Sequence, residues 1–181
     1  GKVTGGLDSE VYTWGKQKIS SENNVRPGAF VTKVDTGVVN APVLFKKAIA
    51  RNGADYVTDY SGFDSYGNPT TVKETGPNGG DRTTSLSYYT NTSLWIIKQV
   101  QDESFSGNSI SRSFSSSGNL TNETINGVST SFGYDSQGNI TSKTNSRGKA
   151  TSFSSYKRGI PQSESRPLSV SIGRDVSDAG N

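Results

Sequence analysis

The stretch Phe132-Gly133-Tyr134-Asp135-Ser136-Gln137-Gly138-Asn139-Ile140, followed by Thr141–Gly148 and Lys149–Tyr156, reads as strand, tight turn, strand, second turn, strand. Thr130, Phe132 and Tyr134 fall on one face at period two before the turn, and Ile140, Ser142 and Thr144 do so after it. Asp135 suits the first position of a type I turn, because its carboxylate can accept from backbone N–H groups further round. Gly138 suits the position where the chain needs positive φ without a Cβ clash. A type I turn closed by a left-handed glycine is the three-residue hairpin loop with a bulge. The unit is Tyr-Asp-x-x-Gly-Asn-aliphatic.

The unit recurs. Phe63-Asp64-Ser65-Tyr66-Gly67-Asn68-Pro69 is one copy, and Phe114-Ser115-Ser116-Ser117-Gly118-Asn119-Leu120 is another, with Ser in place of Asp. Val176-Ser177-Asp178-Ala179-Gly180-Asn181 is a degraded fourth, reaching the end of the given sequence. Gly118, Gly138, Gly159 and Gly180 follow one another at 20 to 21 residues, a period that signals a repeat architecture. The longer gap from Gly67 to Gly118 implies an irregular insertion.

At these residues the chain resembles the Rhs-repeat, or YD-repeat, family. The resemblance is carried by Phe63-Asp64-x-x-Gly67-Asn68, by Tyr134-Asp135-x-x-Gly138-Asn139, by Asn145 to Thr151 and by Tyr156-Lys157-Arg158-Gly159-Ile160-Pro161. Arg51–Gly53 through Thr75, Arg82 to Tyr88 and Trp95-Ile96-Ile97 resemble the middle of a bacterial Rhs protein. The likeness runs from about Leu44 to the C-terminus. It departs from the pattern at Ser115, where the first Asp is missing, and where Phe or Val replaces Tyr. The resemblance implies a long sheet that spirals into a hollow shell around a toxic C-terminal cargo. It also implies export to the cell exterior or surface, with the rest of the shell, its cargo and a secretion apparatus as partners.

Composition agrees with a wide, wet sheet. Of 181 residues only 29% are hydrophobic, yet eight Tyr, seven Phe and two Trp stand among alternating β-branched residues. Lys and Arg exceed Asp and Glu by three, and the charges are scattered, Lys46-Lys47 with Arg51 being the densest basic spot. That spot reads as a solvated edge, so no nucleic-acid partner is expected. No apolar run approaches a membrane span. No signal peptide opens the sequence, which reads as an excised segment.

Along the chain, residues 1–42 read as an N-terminal arm with irregular β structure, and 43–181 as a repeat sheet truncated at the C-terminus. Tyr12-Thr13-Trp14 reads as a short strand with Trp14 plugging a core, residues 15 to 27 as a loop, and Ala29 to Val34 and Pro42 to Arg51 as strands. Asn52-Gly53 and Asn126-Gly127 mark two-residue hairpin turns. Trp95-Ile96-Ile97, the most apolar point, reads as a packing nucleus. No helical periodicity appears, and the fold class is all-β: consecutive short antiparallel hairpins forming part of a large curled sheet.

With no His and no Cys, imidazole and thiol chemistry are absent. Asp55 and Asp59 share a strand face at about 13 Å, too far for a paired carboxylate site. No enzyme activity, cofactor or metal is therefore expected, calcium-binding β-rolls needing a shorter period with doubled glycines. The residues that count are those of the repeat turns: Phe63, Asp64, Gly67, Asn68, Phe114, Gly118, Asn119, Tyr134, Asp135, Gly138, Asn139 and Gly180. The alternative is a surface adhesion or carbohydrate-binding module, with Tyr88 and Trp95 as glycan-stacking candidates.

Overall fold

The computed structural model describes residues 7–20 and 39–176. Within them the chain folds into thirteen strands: β1 (Leu7–Ser20), β2 (Val39–Arg51), β3 (Ala54–Phe63), β4 (Pro69–Thr75), β5 (Asp81–Asn91), β6 (Ile96–Phe105), β7 (Asn108–Phe114), β8 (Leu120–Ile125), β9 (Val128–Tyr134), β10 (Ile140–Thr144), β11 (Ala150–Lys157), β12 (Ile160–Arg166) and β13 (Val170–Gly173). They are hydrogen-bonded in sequence order in one sheet, hairpin after hairpin. The all-β expectation holds. Apart from one 3₁₀ turn at Pro167–Ser169, no helix occurs among the described residues.

Turn chemistry sets this topology. Asn52-Gly53 and Asn126-Gly127 have both φ angles positive, the two-residue geometry whose twist matches that of paired strands. Ser106-Gly107 and Arg158-Gly159 adopt the same conformation without an Asn to announce it. Gly159, counted above in the 20–21-residue series, therefore sits in a different kind of turn from Gly118 and Gly138.

The chain divides into two compact units, Gly1–Ser87 with Glu103–Gly107, and Tyr88–Asp102 with Asn108–Asn181. In the first, charged rows cross the strands. Asp59 lies opposite Lys46 on β2 and Lys73 on β4. Lys47 reaches Glu10 at 2.6 Å, Lys73 reaches Asp81 at 2.7 Å, and Arg82 meets Glu74 at 2.5 Å. The basic spot at Lys46-Lys47 is thus balanced by neighbouring strands. Such exposed pairs fix register more than they stabilise.

In the second unit the two faces differ. Ser113, Asn122, Ser131 and Thr144 face one another in a row across β7 to β10. Ser142, Ser152, Ser165 and Ser171 make another across β10 to β13. The opposite face carries Phe132 opposite Lys143, and Phe153 opposite Glu164, which is opposite Ile172. Lys143 lies with the aromatics, its ammonium 5.9 Å from the Phe132 ring centre, and not with the serines.

The sheet has almost no core of its own. The only buried hydrophobic residues among those described are Val43 and Val176, and no large side chain is fully buried. Trp14 is 64% exposed, so it plugs nothing, and β1 extends from Leu7 to Ser20 across much of what reads as arm and loop. Lys16, Gln17 and Lys18 carry no strand signal of their own; pairing with Pro42, Ala41 and Asn40 of β2 holds them extended. Trp95 is 71% exposed, in the left-handed region at φ 55°, with Ile96 and Ile97 half-buried behind it. It is not the centre of a nucleus. The strand read at Ala29–Val34, residues 21–27 of the loop, and residues 177–181 of the fourth unit, Gly180 among them, lie outside the described residues.

Candidate functional site

Among the described residues the repeat turn is built four times by one set of bonds. In each, the N–H of the first residue donates to the carbonyl four positions on, and the glycine N–H donates back to the first residue's carbonyl. This holds for Asp64 with Gly67 and Asn68, Ser115 with Gly118 and Asn119, Asp135 with Gly138 and Asn139, and Asn145 with Gly148 and Lys149. The glycines lie at φ 83°, 82°, 83° and 69°, where a Cβ is strained.

The first side chain locks the loop. Asp135 Oδ1 accepts from Gln137 N at 2.9 Å and Asn139 N at 2.8 Å, and Oδ2 accepts from Asn139 Nδ2 at 2.9 Å. Asp64 repeats all three with Tyr66 and Asn68. At the second copy Ser115 Oγ accepts from Ser117 N and Asn119 N, so one hydroxyl replaces the carboxylate for the backbone and loses only the third bond. Asn145 Oδ1 accepts from Arg147 N and Lys149 N. The Asn139 side chain, opposed by partial desolvation and helped by the backbone N–H groups, holds the Asp135 carboxyl below its ordinary range.

Tyrosine couples one unit to the next. Tyr134 Oη donates to the Leu120 carbonyl at 2.8 Å, and Tyr156 Oη donates to the Ile140 carbonyl. Leu120 and Ile140 each follow a Gly-Asn pair. Burial and then the nearby Asp135 charge push the Tyr156 hydroxyl above its ordinary value. Tyr89 Oη reaches Ser115 O at 3.0 Å, tying the second turn to β5.

Sequence reasoning missed a threonine. Thr70, Thr121 and Thr141 each stand two residues after the Gly-Asn pair. Thr70 Oγ1 donates to Gly62 O and Thr121 Oγ1 to Ser113 O, back across the hairpin. Pairing slips by one residue at Thr121 and at Thr141, since Phe114 faces Leu120 while Ser113 faces Asn122, and Tyr134 faces Ile140 while Gly133 faces Ser142. Ile140 therefore does not share a face with Ser142 and Thr144, because a bulge turns the strand between them. The signal Gly-Asn-x-Thr was present three times.

Of the glycan-stacking candidates, Trp95 is exposed in the turn after β5, and Tyr88 is half-buried within β5. The aspartates of the turns have both carboxylate oxygens engaged by N–H donors. No group of three or more Asp and Glu stands together among the described residues, and no helix there is long and apolar enough to cross a membrane.

A repeated β-hairpin, closed by one turn and linked by tyrosine, defines a sheet-forming repeat protein. Residues 114–150 match the family model described as RHS Repeat, so this stretch is similar to the repeats of the Rhs/YD-repeat family. The matched residues take in the turns at Ser115, Asp135 and Asn145; the Asp64 turn lies outside them and has the same geometry. No curated protein matches the chain.

Proposed function

We propose that this chain is a structural segment of a bacterial Rhs-type protein, supplying strands to an exported β-shell that encloses a toxic C-terminal cargo. One observation carries the reading: in the second unit the sheet shows Phe132 and Phe153 on one face and rows of hydroxyls on the other, and among the described residues of the chain only Val43 and Val176 are buried hydrophobics. A face of this kind is stable when something covers it. In a shell, further repeats complete the sheet and the interior is shielded from bulk water. The partners in this reading are the remainder of the shell and its cargo. The role is structural, without catalysis. Sequencing the coding DNA on both sides tests it: many further repeats ending in an unrelated toxin-like tail are expected, and a short flank ending in a wall or membrane anchor overturns it.

A second reading, surface adhesion through a glycan, is favoured by the exposure of Trp95 at 71%. A glycan array separates the two. Specific binding that disappears in Trp95→Ala supports recognition, and an array without signal leaves the shell.

A further inference from the structure

Two hairpin turns share one dipeptide and one backbone conformation, and differ in what holds the asparagine. Asn52-Gly53 joins β2 to β3 and Asn126-Gly127 joins β8 to β9, with φ of 55° and 72° in the first and 49° and 80° in the second. Both asparagines are exposed, and a Cβ on either glycine would meet nothing within 4 Å. The Asn126 carboxamide is nevertheless held at both ends by the start of β7. Its Oδ1 accepts from Ser109 N at 2.8 Å, and its Nδ2 donates to Asn108 Oδ1 at 3.0 Å. Among the described residues no hydrogen bond holds the Asn52 carboxamide.

The difference bears on chemistry, because asparagine is thermolabile and a following glycine has no Cβ to hinder its nitrogen. That nitrogen attacks the side-chain carbonyl carbon: an N–Cγ bond forms, the Cγ–Nδ2 bond breaks, and the displaced nitrogen leaves as ammonia with the proton of the attacking N–H. Water then opens the succinimide at either carbonyl, giving aspartate or isoaspartate. No oxidant or reductant takes part.

We propose that Asn52 is a site of spontaneous deamidation, and that Asn108 and Ser109 protect Asn126 from the same reaction. For ring closure the Asn126 carboxamide must leave both partners, and two ordinary hydrogen bonds slow such a step about tenfold or more. At Asn52 no side-chain bond has to break. The product there sets a carboxylate beside Arg51, and isoaspartate adds a backbone atom to a turn whose register, Arg51 opposite Ala54, has no room for one. Modification therefore loosens the β2–β3 hairpin and leaves β8–β9 intact. The third Asn-Gly pair, Asn78-Gly79, lies in a different turn, where the Gly79 N–H donates to the Gly76 carbonyl at 3.2 Å.

The test incubates the full 181-residue chain at mildly alkaline pH and follows Asn, Asp and isoAsp at each position by peptide mapping with mass spectrometry. Asn52 should convert about tenfold or more faster than Asn126 in the folded chain, and the two rates should converge in denaturant. Asn108→Ala should speed conversion at Asn126 and leave Asn52 unchanged, whereas Asn108→Asp keeps an acceptor for Nδ2 and should keep the protection. Circular dichroism of each variant reports whether the sheet is intact. Equal rates at the two positions in the folded chain overturn the proposal. So does a difference that persists in denaturant, which would belong to the flanking sequence, or an Asn126 rate indifferent to Asn108→Ala in an intact sheet.

Discussion

The turns at Ser115–Asn119 and Asp135–Asn139 have the same backbone bonds, the same glycine φ within one degree, and opposite surroundings. The first is the weaker turn by its own chemistry, with a hydroxyl where the other has a carboxylate. It is also the better supported: Tyr89 and Gln99 donate to the carbonyls of Ser115 and Gly118, Asn91 to that of Ser116, and Ile96 rests on the glycine. The second has three bonds to Asp135 and open space over Gly138. A repeat of this kind keeps its loop either by the side chain at its first position or by what packs on it. The comparison teaches that turn residues read from sequence specify a conformation, and the neighbouring hairpin decides what it costs to change one.

That contrast can be broken from either side. The largest effect is expected at Gly118→Ala, which adds left-handed strain of about 1–2 kcal/mol and must also push aside the end of the Ile96 side chain, at a small further cost. Gly138→Ala should cost the strain alone, about 1–2 kcal/mol. Denaturant melts of the two variants should rank in that order, and equal losses would mean that Ile96 gives way freely. Gly138→Val should disturb the hairpin more than Ala, since a β-branched residue resists positive φ.

Next comes Tyr134→Phe, which removes the bond to the Leu120 carbonyl. A loss of about 0.5–1.5 kcal/mol is expected, with faster amide exchange around Leu120. Unchanged exchange there would deny that tyrosine couples the units.

The smallest effect at neutral pH, and the most informative in acid, belongs to Asp135→Asn. Asn145 already serves the same turn, so the variant should melt close to the parent at pH 7. The folded pKa of Asp135 lies below its unfolded value, so the parent's extra stability is complete above the ordinary carboxylate pKa, about 3.9, and is lost as pH falls through the lower folded value. The variant's melting temperature should therefore fall less steeply from pH 5 to pH 2. Glu164, lowered by Arg174 and then by Arg166, gives both proteins a common acid slope. Identical profiles would remove Asp135 from the account.

Much of this fold was legible because turn residues act locally. Asn52-Gly53, Asn126-Gly127 and the Asp-x-x-Gly-Asn units announce hairpins through their own backbone preferences. What stayed hidden depends on neighbours. Lys16 to Lys18 become strand by pairing with β2, and Trp95 is exposed although apolar, because a single layer has no second layer to bury it. Gly-Asn-x-Thr was missed for another reason: the threonine acts across the hairpin, so its role emerges only once the register is known. Tyr134 was legible as a repeat position but not as the donor to Leu120, fourteen residues back.

The most direct test of the account asks whether the aromatic face is hidden in the native protein. The chain has no cysteine, so single substitutions report cleanly. Thr130→Cys and Thr151→Cys lie on the face of Phe132 and Phe153; Ser131→Cys and Ser152→Cys lie on the opposite, hydroxyl face. Maleimide labelling rates would be measured in this 181-residue chain and, on the proposed reading of it as a shell segment, in the full-length protein translated from its complete coding sequence. The account predicts rapid labelling at all four sites in the isolated chain, and protection of positions 130 and 151 alone in the full-length protein. Equal labelling of both faces in the full-length protein would contradict it.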